Sequence, residues 1–295
     1  MSYFLAFCLA LCWGTVFLAT KNIVTALPPC WSTLYIVLAG LIFLAGFYMI
    51  QGKSLRISRK QIWRPWLVGF LLILFPFAAR SWGMSFISPT LGGIFNGTVP
   101  IWAFIAGAVL LKGVDRFTWL RACGVLLGMC GVTVIMWPTL SLGDNPHALY
   151  GCFAVLLMAW SYALGNVMTK KVMVDDHSTT LEANAFHQYV FSAVILLVVA
   201  LFTEPLPAWS VFSGKVIISI ICAGVFSSAI AFLLLVALLK RWGSTRTSAV
   251  SYFTPVVAML TDILISGRMP TIHEVIGLII ILVSAALIQK PVQEK

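Results

Sequence analysis

The chain has 295 residues, 61% of them hydrophobic and 9% charged, with a formal net charge of +10 and a mean hydropathy of +1.01. Soluble domains carry about 25% charged residues, so a water-facing globule is excluded. Cationic loops at a membrane surface explain the positive charge better than nucleic acid does, and the expected class is an all-α polytopic membrane protein.

Ten apolar runs follow one another along the chain, at 3–20, 32–50, 66–86, 91–111, 117–137, 147–169, 185–203, 214–238, 246–266 and 271–289. They are too long and too uniformly apolar for the alternating strands of an outer-membrane barrel. The first begins at Tyr3 with no basic residue ahead of it and outruns a signal-peptide core, so a cleaved leader is not expected. The longest breaks are QGKSLRISRKQIWRP (51–65) and KKVMVDDHSTTLEA (170–183). Between the fifth and sixth runs the turn-rich stretch PTLSLGDNP (138–146) divides the chain nearly in half. The seven cysteines (Cys8, Cys12, Cys30, Cys123, Cys130, Cys152, Cys222) are scattered and form no C-x-x-C, so neither a disulfide framework nor a zinc site is expected.

Orientation follows from the basic residues. With the N-terminus in the cytoplasm, Lys53, Arg56, Arg59, Lys60, Arg64, Lys112, Arg116, Arg121, Lys170, Lys171, Lys240, Arg241, Arg246, Lys290 and Lys295 face inward. Only Lys21, Arg80, Lys215 and Arg268 fall on or toward the other side. This asymmetry predicts ten membrane crossings with both termini cytoplasmic.

The two halves, 1–141 and 142–295, can be superimposed as sequences. Trp13 matches Trp160, Pro100 matches Pro255 and Gly124 matches Gly277, at offsets of 147, 155 and 153. Five crossings per half is an odd number, so the second half enters the membrane from the opposite side. The predicted architecture is two inverted five-helix repeats, a plan common among secondary transporters.

These residues resemble the EamA-type branch of the drug/metabolite transporter superfamily over nearly the whole chain. An aromatic-plus-small pair stands in the first helix of each unit, Trp13-Gly14 and Trp160-Ser161, and a proline in the fourth, Pro100 and Pro255. An acid precedes a glycine by nine residues in the fifth helix, Asp115 before Gly124. The second unit departs from this pattern with Arg268 before Gly277, and Tyr35 stands where the family often carries Arg. The resemblance implies a multi-pass permease of the bacterial inner (plasma) membrane, commonly an exporter of amino acids, their derivatives or other small metabolites.

The candidate pathway is read from the residues. In the ninth run Ser248, Ser251, Pro255, Ala258 and Asp262 lie within about 40° of one line on a helix. Their counterparts in the fourth run are Gly93, Asn96, Pro100, Ala103 and Gly107. Two such stripes either line a cavity between the units or pack tightly through small residues. Each proline frees a carbonyl one turn earlier and acts as a hinge or as a fixed kink. Trp13 and Trp160 are cavity walls or core. Asn96, Tyr162 and Asn166 are candidate hydrogen-bonding groups. Arg80 and Asp262 both fall toward the outer side, where a mutual pair would neutralise two costly charges; separate snorkelling is the alternative.

The expected partners are a small-molecule substrate and the lipid bilayer, with no cofactor, no metal and no nucleic acid; monomer and dimer remain open. Uptake by the same fold is the rival to export. An intramembrane enzyme is a poorer fit: Ser227 and Ser228 lack a G-x-S-G setting and an evident tie to His187, and Asp262 has no second membrane acid beside it. No G-x-x-x-x-G-K-[ST] phosphate loop occurs. His147, His177 and His273 lack metal-ligand spacing, and no pore-loop filter sequence marks a channel.

Overall fold

In the computed structural model, which describes residues 2–110, 119–142, 146–169 and 179–289, the apolar runs become helices in the expected order, and no strand forms among the described residues. They are α1 Ser2–Val24, α2 Pro29–Ile50, α3 Trp63–Gly69, α4 Phe75–Met84, α5 Pro89–Asn96, α6 Val99–Leu110 and α7 Trp119–Leu142. The second half supplies α8 Pro146–Thr169, α9 Leu181–Thr203, α10 Gly214–Ile221, α11 Ala231–Ser248, α12 Phe253–Thr261 and α13 Ile272–Gln289. Wider π-helical stretches, Phe70–Leu74 and Cys222–Ile230, join α3 to α4 and α10 to α11 without a break, and a third, Asp262–Ser266, extends α12. Among the described residues, seven helical segments can cross a membrane by length and composition, and three shorter apolar ones, Ala122–Trp137, Val250–Ser266 and Ile272–Leu287, accompany them. Large apolar side chains such as Ile42, Phe202, Ile218 and Leu264 stand on the outside, as lipid contact requires.

Several boundaries differ from the sequence reading for identifiable reasons. Helix α9 starts four residues early because Thr180 caps it, its hydroxyl accepting from Ala183 N at 3.2 Å, with Glu182 in the first turn. Ser88 does the same for α5, with Pro89 at the first helical position. The stretch expected to be a linker from 138 remains helical through Leu142, since a single proline removes one backbone bond without ending a membrane-length helix. Asp115 and residues 170–178 of the second long break lie outside the described residues.

The two candidate hinge prolines, Pro100 and Pro255, occupy helix starts. The fourth run breaks after Asn96, and Pro100 is the second residue of α6, where its missing N–H costs little. Pro255 lies in the first turn of α12, after the 3-10 turn Ala249–Tyr252. Pro76 explains a bulge. Phe75 N donates to Phe70 O in the π register, so the next donor would be residue 76, which has none. The Leu71 carbonyl that residue 76 would have reached accepts instead from Ser161 Oγ on α8, at 2.7 Å.

Packing pairs the halves. Helix α2 lies along α9, α5 along α12 and α7 along α13, while α1 packs on α12 and α6 on α8. The π stretch Phe70–Leu74 rests on α8 and α9, and the stretch Cys222–Ile230 rests on α1 and α2. One contiguous apolar core, including Phe17, Ile36, Phe95, Met158 and Ile281, runs through both halves. The small stripes of the fourth and ninth runs meet directly: a Cβ on Gly93 would overlap the Ala258 methyl, and one on Gly97 would lie 3.4 Å from Pro255 Cγ. At this crossing the stripes serve close packing. Gly93→Ala is therefore expected to lower stability by about 1–3 kcal/mol. Gly46→Ala, with open space around its Cβ, should be neutral or stabilising by up to about 1 kcal/mol. Thermal unfolding of the two variants in detergent checks the contrast.

Candidate functional site

The charged side chains buried among these helices, Arg80, Asp262 and Glu274, lie at two levels. The first lies at the end of the bundle where α1, α4, α9 and α12 finish and α2, α5 and α13 begin. Asp262, 1% exposed, sits at the end of α12 and points at the start of α5. Its Oδ2 accepts from Thr90 Oγ1 at 2.7 Å and from Thr90 N at 3.3 Å. A carboxylate on a helix N-terminus satisfies donors that have no partner inside the helix and meets the positive end of its dipole. Glu204, just past α9, treats α2 in the same way, accepting from Cys30 N at 2.9 Å and Trp31 N at 3.1 Å.

Basic groups complete this level. Arg268 holds Glu274 with both arms, at 2.7 and 3.2 Å, and its Nη1 lies 3.7 Å from Asp262 Oδ2. Glu274 is itself fixed by a reciprocal cap: Thr271 N donates to its Oε2 at 2.8 Å, and Glu274 N donates to Thr271 Oγ1 at 3.3 Å. Lys21, near the end of α1, donates to Met84 O at 2.8 Å and Ser85 O at 3.3 Å, covering carbonyls left free at the end of α4.

Arg80 belongs to the second level, deeper in the bundle. The expected pair with Asp262 does not form, because Asp262 takes Thr90 and Arg268 as its partners. Nor does Arg80 snorkel outward. Its guanidinium folds back over Phe77, one turn earlier on α4, with Cζ 4.5 Å from the ring centre. Only 3% of Arg80 is exposed, and its Nε and Nη2 are buried without an acceptor. The titratable side chains that feel its charge are the phenols of Tyr162 on α8 and Tyr189 on α9. Tyr189 Oη is hydrogen-bonded to Ser228 Oγ in the second π stretch.

The remaining candidates are dispersed. Trp13 packs at the edge of a small cluster with Leu9, Ala10, Leu238 and Val250. Trp160 is 43% exposed and lines an apolar groove of about 430 Å³ with Trp102, Met136 and Phe153. A second apolar groove, of about 540 Å³, runs past Trp82, Tyr150, Phe153 and Glu204. Asn166 is exposed on α8, Asn96 and Ser251 are half-buried, Pro100 is half-buried and Pro255 is buried. Among the described residues no group of three or more His, Cys, Asp or Glu is placed to hold a metal ion.

Sequence reasoning missed Thr90, Glu204, Glu274 and Tyr189. The T-x-x-E spacing of Thr271 and Glu274 was a readable capping signal. Glu204 and Thr90 carry none, since their roles depend on which helix ends meet.

A bundle of membrane-length apolar helices with charges sequestered inside defines a multi-pass membrane protein. A family model for EamA-like transporters matches residues 1–137 and 149–289, and the chain belongs to that family. It is 24% identical to the uncharacterized transporter YoaV of Bacillus subtilis, over 92% of this chain and 90% of that one. A chloroplastic WAT1-related protein of Arabidopsis thaliana is 21% identical, covering 95% of this chain and 67% of its own. The protein PagO of Salmonella typhimurium is also 21% identical, over 92% and 86%. A crystal structure of a protein at 20% identity superimposes with a TM-score of 0.67 over 97% of this chain and 95% of that one, which shows a shared fold. These relatives identify a transporter of the drug/metabolite superfamily.

Asp262 supplies the test of the first level. Asp262→Ala leaves Thr90 without its buried acceptor and should cost about 1–3 kcal/mol. Asp262→Asn keeps an acceptor and should cost less, a ranking that denaturation in detergent would read directly.

Proposed function

We propose that the chain is a secondary transporter of ten crossings, built as inverted five-helix units over 1–141 and 142–295, that exports small metabolites such as amino acids or their derivatives by alternating access. Reciprocal packing of the two halves carries this reading. The first π stretch rests on the first two helices of the second half, α8 and α9, and the second rests on the first two of the first half, α1 and α2. Phe70 and Cys222, where these stretches begin, are 152 residues apart, within the range of the Trp, Pro and Gly offsets. Exchange of equivalent partners is what a two-fold relation between repeats produces. The separate matches of the family model to residues 1–137 and 149–289 point the same way.

In this reading both termini are cytoplasmic and the protein resides in a bacterial inner membrane. The caps made by Asp262 and Glu204 then lie at the outer end, each joining a second-half helix to a first-half helix start. They hold the outer side closed, and outward opening breaks both. The proposed pathway comprises Trp13, Arg80, Asn96, Pro100, Trp160, Asn166, Ser251, Pro255 and Asp262. Export rests on the family resemblance; uptake by the same machinery is the second reading.

Two measurements test the proposal. Reporter groups placed at 53–60 and at 205–210 should report opposite sides of the membrane, and the same side for both would overturn the inverted topology. Metabolite profiling of cells with and without the protein, followed by flux in proteoliposomes, should yield a compound that moves with the protein present. Failure of every changed metabolite to move would overturn transport.

A further inference from the structure

Arg80 presents a charge problem that the fold leaves unsolved. A guanidinium stays protonated in any protein setting. A long side chain near the end of a membrane helix ordinarily carries its head to the interface. Arg80 does the reverse, lying back over Phe77 toward the middle of the bundle. Phe77 offers a ring face and no acceptor, while two guanidinium nitrogens, Nε and Nη2, remain buried and unpartnered.

Each carboxylate among the described residues has its partners elsewhere, though Asp262 Oδ1 is itself buried and unpaired. Glu182 meets Lys53 at 3.4 Å, Glu204 caps α2, Asp262 caps α5 and Glu274 binds Arg268. The groups that touch Arg80 or feel its charge come from both halves. Phe77 is on α4, whereas Tyr162 and Tyr189 are on α8 and α9, and Ser228 fixes Tyr189 from the second π stretch. Ser227, the residue beside Ser228, has a buried hydroxyl with no partner. The unmet donors of Arg80 thus lie where the two halves join, with two phenols of the second half within reach of its charge.

We infer that Arg80, buried and unpartnered where the two halves join, receives the carboxylate of a monoanionic organic substrate. The assignment rests on the transport reading and names the substrate class for it. A planar guanidinium fork matches a carboxylate through two parallel hydrogen bonds. Charge balance selects the monoanion. One guanidinium neutralises one negative charge, and a phosphate dianion would be left with an uncompensated charge in a medium that penalises it. A zwitterion would need an acid for its ammonium group, and no carboxylate is among the titratable side chains that feel the Arg80 charge. Amino acids are therefore expected as derivatives whose amine is blocked or absent.

Sodium acetate is a probe small enough to report the site without knowledge of the full substrate. Thermal unfolding of the full chain in detergent is compared in acetate, in chloride at equal ionic strength and in neutral acetamide. Acetate should raise the midpoint of the native protein above the chloride control, and acetamide should not. Arg80→Gln should abolish the acetate shift and, without acetate, unfold no earlier than the native protein, because it removes an unpaired buried charge. Should Arg80→Gln fail to fold, Arg80→Lys serves, and its point charge should give a clearly smaller shift. Flux of the profiled metabolite should fall roughly 30-fold or more in Arg80→Gln, as when one partner of a buried charge pair is truncated. An acetate shift that is absent, or equal in native and variant proteins, overturns the site. A metabolite that moves equally through both overturns it while leaving transport intact. An Arg80-dependent acetate shift in a protein that moves nothing overturns transport and leaves the anion site standing.

Discussion

Two carboxylates of the second half sit on two helix starts of the first half, and much of the architecture depends on that arrangement. Asp262 reaches the beginning of α5 and Glu204 the beginning of α2. In hydrocarbon the free N–H groups of a helix start have no water to turn to, so each needs an acceptor from the protein. A carboxylate there is stabilised by the same donors that it satisfies, which reconciles two otherwise costly features. The contacts also set register, because α9 and α12 must end level with the starts of α2 and α5 for the caps to form.

Departures from regular helix recur where the halves touch. The π stretch at Phe70–Leu74 follows from Pro76, and the carbonyl left over is filled by Ser161 from the opposite half. A local defect in one helix thus becomes a bond between halves. Arg268 shows the same economy: Glu274 is locked by its reciprocal cap with Thr271, and the locked Glu274 then aims Arg268 toward Asp262.

Much of the fold was legible in the sequence because hydrocarbon thickness dictates run length, while the local helix-start signals of Thr180, Ser88 and Pro89 went unread. The charge contacts were not legible. Arg80 and Asp262 lie at matching depths along the chain, so a pairing was reasonable on distance alone. What separated them was the direction of the Arg80 side chain and the prior claim of Thr90 on Asp262, neither of which is encoded in spacing. For the small stripes the sequence left two roles open, cavity lining and close packing. Only the contact of Gly93 with Ala258 decided between cavity and close packing at that point.

The glycines at the junction have a mechanical consequence. A Cβ on Gly40 would lie 2.9 Å from Gly224 O, and one on Gly69 would lie 2.9 Å from the Cα of Gln188. At both places helix backbone comes against backbone of the opposite half, with the Tyr189 ring also close to Gly40. Interlocked leucines resist displacement because rotamers must be released and remade, whereas bare backbone can slip without that penalty. Under the proposed alternating access, such surfaces would be the bearings along which one half slides, with the caps at the helix ends, rather than the body of the interface, setting when it moves.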